Sequence, residues 1–349
     1  MKSPRKVLFI AGAGRSGTST LAGLVSRLGL HVPQPEVAAD ESNPKGFGEP
    51  QWVVDLHNRL LDEVMVQVSD SRPGAWDLTG ERGADEATLD DVAQWLAPHF
   101  DRADELVVKD PRLSWFLPLW RKAAVRVEAT PVFATMLRPP AEVVGSKQKY
   151  YANRLGTAHL TASWLNMLLH TELETRDAPR AFVRYADLLG DYRSVISGVG
   201  GALDLSRVTG AGADDWARLE GFIDPSLRRV GLDWDDLALP RRLEELTRAT
   251  WDALNAMVDE DTPELRATLD QARAAYTELY AESEAISKSS VVAAEVVLRK
   301  AHRIALASAL EGADAPVGRA SVADRIPHAW RARVPAPVRR GLRRVVRHR

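Results

Sequence analysis

The sequence predicts an α/β fold in which a central parallel sheet is flanked by helices and followed by a mainly helical C-terminal extension. Three observations carry that expectation. Short, mainly apolar runs alternate with segments of helical periodicity as far as residue 189, the pattern of buried parallel strands joined by helical crossovers. The first run leads straight into a glycine-rich turn and a helix, in "KVLFIAGAGRSGTSTLAGLVSRLGL" at 6–30. Beyond about residue 245 the pattern changes, and 264–309, which hold no proline or glycine, read as one long or two shorter helices.

Taken in order, 7–11 is a short apolar run ended by Gly12 and reads as a strand. Residues 17–29 read as a helix with Leu21, Leu24, Val25 and Leu28 on one face. Proline and glycine punctuate 32–50 as loop, and a helix follows around 52–64. Strands are expected at 104–112, stopped by Pro111, at 130–140, stopped by Pro139 and Pro140, and at 180–189, the last running into a helical turn. Helices at 141–152 and 158–175 separate them. The expected organisation is a catalytic domain over 1–245, a helical extension over 246–312 and a basic tail over 313–349.

The 349 residues are 45% hydrophobic and 27% charged, ordinary for a globular enzyme. No apolar run reaches the ~20 residues that span a bilayer. Lys2, Arg5 and Lys6 before an apolar stretch resemble a signal peptide superficially, but that stretch ends in the glycine turn and a regular helix. With no cysteine there is no disulfide, thiolate nucleophile or cysteine metal site, which suits a cytoplasmic protein. The net charge of −2 hides an asymmetry: from Gly318 onward there are ten arginines and one acid, Asp324. The remainder carries 36 basic against 47 acidic residues, a body near −11 that is unsuited to polyanions such as nucleic acid. The tail could contact anionic lipid at the inner membrane surface, with Val338, Leu342 and Val345 opposite its arginines.

The turn "GAGRSGTS" at 12–19 satisfies several phosphate-binding patterns. Gly12, Gly14 and Gly17 spell a dinucleotide fingerprint, and Gly12 and Gly17 have the spacing of a nucleotide-hydrolase P-loop. In every case backbone amides at a helix N-terminus, with the hydroxyls of Ser16, Thr18, Ser19 and Thr20, cradle an anion. Thr18 stands where the hydrolase loop needs lysine, which argues against ATP or GTP chemistry and against a kinase on this P-loop-like scaffold. The dinucleotide reading needs an acid at the end of the next strand, and Glu36 lies near that distance in proline-rich sequence without a preceding strand.

A second segment, "MLRPPAEVVGSKQKYY" at 136–151, ends a strand on Arg138 and carries Ser146 on the following helix. Here the chain resembles sulfotransferases that use 3′-phosphoadenosine 5′-phosphosulfate (PAPS). "AGRSGTS" is similar to their 5′-phosphosulfate loop, and Arg138 with Ser146 to their 3′-phosphate motif. A guanidinium forks onto a phosphate and a serine adds a donor. "VVKDPRL" at 107–113 is similar to the strand-end Lys-Asp-Pro of tyrosylprotein and carbohydrate sulfotransferases, in which the lysine faces the sulfonate. "FVRYADLL" at 182–189 resembles their Tyr-Glu-Asp-Leu segment, which implies that Tyr185 lies by the adenine, with Ala186 replacing the glutamate. The resemblance spans residues 5 to about 205. The catalytic histidine and C-terminal Arg-Lys-Gly segment of cytosolic small-molecule members are absent, which moves the chain toward bacterial, carbohydrate- or protein-directed members.

The resemblance implies in-line transfer of a sulfonate from PAPS to a hydroxyl, of a glycan or glycolipid, with no metal required. Arg15 and Lys109 are the expected cations, and residues 16–20 hold the leaving phosphate. Glu49, in "NPKGFGEPQW" before a helix, is the expected general base. Glu41 ranks second, Asp110 third because Lys109 and Arg112 would depress its pKa, and His57 last, as a lone helical histidine is more often structural. Trp52, Trp115, Trp120 and Trp164 would line an acceptor pocket or fill the core. The helices at 264–309 would cover the acceptor site or join protomers of a homo-oligomer. A catalytically inactive interaction scaffold is the non-enzyme alternative.

Overall fold

The computed structural model describes residues 4–40, 43, 45–151, 155–223 and 233–313. Four strands, β1 (Lys6–Ala11), β2 (Glu105–Lys109), β3 (Thr130–Leu137) and β4 (Arg180–Arg184), form one sheet in the order β2-β1-β3-β4, with every pairing parallel. The first three coincide with largely apolar runs of the sequence, whereas β4 has an arginine at each end of its apolar centre. Strand β1 is buried along its whole length because both of its faces are covered.

Helix α1 (Thr18–Arg27) follows β1. Helices α2 (Gln51–Glu63), α3 (Ala75–Gly83) and α4 (Glu86–Leu96) precede β2, and α5 (Leu117–Arg126) precedes β3. Helices α6 (Pro140–Tyr151) and α7 (Thr157–Thr175) lie between β3 and β4. Past β4 come α8 (Tyr185–Gly190), α9 (Tyr192–Ala202), the short α10 (Ser206–Thr209) and α11 (Ala213–Ala217), then α12 (Arg241–Ala256) and α13 (Pro263–Ala313).

Alternation along the strands divides the core. Val7, Phe9, Val108 and Phe133 point to one face, where α2, α4, α5 and α7 supply Leu60, Val92, Trp120 and Leu165. Leu8, Ile10, Val107 and Met136 point to the other, against Leu21 and Leu24 of α1, Leu188 of α8 and Ile196 of α9. A helix every few residues between parallel strands is what buries both faces.

The chain divides into two compact units, Met1–Glu282 and Ser283–Arg349. The expected boundary at 245 falls inside α12 instead. Leu243 and Leu254 of α12, with Leu269, Ala272 and Tyr276 of α13, are buried in the same cluster as the sheet, so these residues belong to the first unit. Within the second unit α13 continues as one helix to Ala313, with Ile286, Val292, Val296 and Ile304 exposed. No described helix is long and apolar enough to cross a membrane. Glu41 and the basic tail beyond Ala313 lie outside the described residues.

Candidate active site

The strand order places β2 on one side of β1 and β3 on the other, so the chain reverses direction across the sheet at β1. In open parallel sheets the crevice at the carboxyl ends of the strands, at such a switch, is where ligands bind. The sequence-selected residues lie at these ends: the 12–17 turn follows β1, Lys109 ends β2, Arg138 follows β3 and Tyr185 follows β4.

The turn after β1 is held in an unusual backbone. Gly17 (φ 91°) and Arg15 (φ 78°) are both left-handed, and for arginine this is a strained conformation. A Cβ at Gly17 would overlap the Tyr185 ring, so glycine is what lets the tyrosine close on the turn. Ser16 is fully buried, and its Oγ has no hydrogen-bond partner among the described residues. At the start of α1 the amides of Thr18 and Ser19 have no intrahelical acceptor. An unfilled hydroxyl beside open amides is a donor set built for anionic oxygen.

Arg15, Arg138, Ser146 and Tyr185 meet. Arg15 Nε donates to Ser146 Oγ at 3.1 Å, and Arg138 Nη1 donates to the Arg15 carbonyl at 3.0 Å. Arg138 Nε donates to Glu142 Oε2 at 2.9 Å, one turn along α6, which fixes the plane of the guanidinium. The guanidinium carbon stands 4.9 Å from the Tyr185 ring centre. Burial raises the pKa of the Tyr185 phenol, with the Arg138 charge acting the other way.

On the other side of the turn, the buried Lys109 donates to Ser19 Oγ at 3.0 Å and to Glu49 Oε1. Glu49 is buried as well, one residue before the Pro50 cap of α2. Gly48, at φ 64°, lets its loop press against α1, since a Cβ there would lie 2.9 Å from that of Ala22. Burial pushes the Glu49 carboxyl above the ordinary glutamate range, and Lys109 beside it pulls it part of the way back.

Asp110 and His57 belong to the structure behind the site. Trp120 Nε1 donates to His57 Nε2 at 2.8 Å, so that nitrogen accepts and the ring proton sits on Nδ1, 3.4 Å from Asp110 Oδ1. Asp110 also accepts from the Arg112 amide at 2.5 Å and from Arg112 Nη1 at 2.7 Å. Burial works against its charge, yet the His57 N–H and the Arg112 guanidinium hold its pKa down at about 2. His57 is fully buried, so it does not face a substrate. Trp115, Trp120 and Trp164 are core residues, so none offers an acceptor surface. Trp52 stacks on Trp95 at 4.7 Å and edges a groove with Asp55, Arg59 and Gln94.

A small cleft beside the α1 turn is lined by Ser19, Thr20, Asn43, Lys45, Leu189 and Phe222. Phe222 and Lys45 carry no motif, and only the fold brings them to the turn. Glu36, the carboxylate a dinucleotide would need, forms an isolated bridge with Pro50 and is not at a strand end. The second strand ends on Lys109, a cation. Among the described residues no group of three His, Asp or Glu side chains could hold a metal ion.

No protein-family model matches the chain, and no curated protein matches it in sequence. Among solved structures, the sulfotransferase domain of an olefin synthase from Synechococcus PCC 7002 is similar, with a TM-score of 0.39 and 19% identity over 75% of this chain and 98% of that one. A sulfotransferase from Mycobacterium tuberculosis gives 0.38 and 15% over 71% and 77%. At these TM-scores the likeness carries none of the assignments below, which rest on side chains.

Proposed function

We propose that the protein is a PAPS-dependent sulfotransferase of the carbohydrate- and tyrosylprotein-directed kind, acting on a hydroxyl of a glycan or glycolipid. One observation carries the reading. Lys109, at the end of β2, bridges the first turn of the phosphate-binding helix through Ser19 and the buried carboxylate of Glu49. A cation shared between an anion cradle and a base is what an in-line transfer from an anionic donor to a hydroxyl needs.

The donor supplies the sulfonate and departs as 3′,5′-adenosine bisphosphate. Arg138 and Ser146 would hold its 3′-phosphate, and Ser16 Oγ, the amides of Thr18 and Ser19 and the hydroxyl of Thr20 would hold its 5′-phosphate. The Phe222 cleft and Tyr185 would take the nucleoside. Arg15 and Lys109 offset the charge that builds on the leaving oxygen and the equatorial sulfonate oxygens. Glu49 accepts the proton of the acceptor hydroxyl, and its raised pKa makes it a stronger base than a solvated glutamate. The Lys109 ammonium beside it favours the ionised form and works against the effect of burial.

The reading is tested by incubating the full chain with radiolabelled PAPS and a cell extract. Label in an acceptor, matched by release of the bisphosphate, is expected. Turnover that instead consumes ATP or NAD would sink it.

A further inference from the structure

Lys147 lies on α6, one residue beyond Ser146, in a stretch of lysines and tyrosines that reads as a solvated face. It is nevertheless buried, with 7% of its surface exposed. Its ammonium donates to Ser69 Oγ at 2.9 Å. Among the described residues no carboxylate pairs with it, and burial alone draws its pKa down to about 8. Buried ammonium groups are ordinarily matched by a counter-charge, because withdrawing one from water is costly. A lysine held this way, against a hydroxyl, lacks an anion.

The surroundings are built. Ser69 belongs to the segment joining α2 and α3. Trp115 Nε1, in the turn after β2, donates to the Val68 carbonyl at 3.3 Å and fixes that segment from one side. From the other side, Asn166 Nδ2 of α7 donates to the carbonyls of Asp70 at 3.2 Å and Arg72 at 3.1 Å. His159, also on α7, places Nε2 3.1 Å from the Ser69 carbonyl and Nδ1 3.4 Å from Ser71 Oγ. A carbonyl only accepts, so Nε2 carries a proton and Nδ1 faces the Ser71 hydroxyl. The cluster thus combines an ammonium with spare donors, two hydroxyls and an imidazole.

Its place relative to the transfer centre assigns it a side. Ser146, the preceding residue, bonds Arg15 of the phosphate turn. Val143 of α6 packs into the face covered by α2, α5 and α7, whereas the cleft with Phe222 and Leu189 borders α1 and α8 on the opposite face. The cleft that would take the nucleoside and the Val143 face of α6 therefore lie on opposite sides of the sheet, and Lys147, one turn beyond Val143, is on the side left to the acceptor.

We propose that Lys147, with Ser69 and His159 about it, binds an acidic group of the acceptor: a carboxylate, a sulfate ester or a phosphate ester. The acceptor is then an anion before it is sulfonated. This rests on the sulfotransferase reading of the same site. The test fractionates a cell extract on an anion exchanger and offers each fraction to the full chain with radiolabelled PAPS. Label is expected in acceptors from the retained fraction. Lys147→Met should reduce that labelling by about 10- to 100-fold at limiting acceptor, the size of one lost charge-assisted hydrogen bond. Lys147→Arg should restore part of it. Because methionine removes a buried charge without a partner, Lys147→Met should bind 3′,5′-adenosine bisphosphate as wild type does and melt no lower, whereas a merely structural lysine would lower the melting point. Acceptors found in the flow-through alone, or full labelling by Lys147→Met, overturn the inference. Wild-type chain that neither labels any fraction nor binds the bisphosphate fails the sulfotransferase reading itself, and this inference with it.

Discussion

Lys109 and Glu49, sixty positions apart in sequence, form an ion pair that is almost wholly shut away from water. Removing one partner of such a pair strands a buried charge, which typically costs about 3–5 kcal/mol. Lys109→Met should therefore lower the melting temperature sharply. Lys109→Met with Glu49→Met should recover most of that loss while remaining inactive. Thermal unfolding of the two single variants and the double variant measures the coupling, and additive losses would show that the pair is not one unit.

If Glu49 is the base, Glu49→Gln should keep affinity for the bisphosphate and lose about 10²-fold or more in transfer. Burial is the chief cause that raises its carboxyl above the ordinary glutamate range. The base is the ionised form, so turnover should rise with pH through a value higher than that of a solvated glutamate. Near-normal turnover of Glu49→Gln removes it from the role.

Asp110 makes a prediction of opposite sign. Its pKa falls from 3.8 unfolded to about 2 folded. The stability it contributes is fully present above 3.8 and lost as pH falls through 2, an amount of about 2 kcal/mol. Asp110→Asn should flatten the acid limb of the stability–pH curve between those values, as measured by denaturant unfolding. An unchanged acid limb would contradict the assignment.

How much of this was legible in the sequence differs by element. The first three strands could be read because each is a short, largely apolar run halted by Gly12, Pro111 or Pro139, and the fourth by the apolar Phe182 and Val183 at its centre. Helix α4 had its own signal, Asp85, which caps it by accepting from the Thr88 amide at 2.9 Å, but the run 86–96 carries no motif to draw attention to it. Glu49, Lys109, Arg138 and Ser146 could be chosen because motifs are local. Lys147 could not: its neighbours are those of a solvated helix face, and only the docking of Ser69 from the α2–α3 segment buries it. His57 likewise depended on Trp120, a contact 63 positions away. The extent of the first unit depended on Leu269 and Tyr276 reaching the same core as Phe9.

Gly17→Ala tests the turn. The new Cβ meets the Tyr185 ring at a backbone angle that alanine adopts poorly. A loss of about 1–3 kcal/mol in stability is expected, together with weaker bisphosphate binding as the tyrosine is displaced. Adding Tyr185→Ala should relieve the steric part of the stability loss and leave the backbone part. Binding unaffected in Gly17→Ala, read by calorimetry, would detach Tyr185 from the nucleotide site.

The central claim is that the strand-end site is shaped for a nucleotide with phosphates on both its 3′ and 5′ positions. Calorimetric titration of the full chain with 3′,5′-adenosine bisphosphate, ATP and NAD addresses it most directly. The bisphosphate should bind most tightly, and Arg138→Ala should weaken it by about 10-fold or more, the loss of one charge-assisted contact. Preference for ATP or NAD, or bisphosphate binding indifferent to Arg138, would contradict the account.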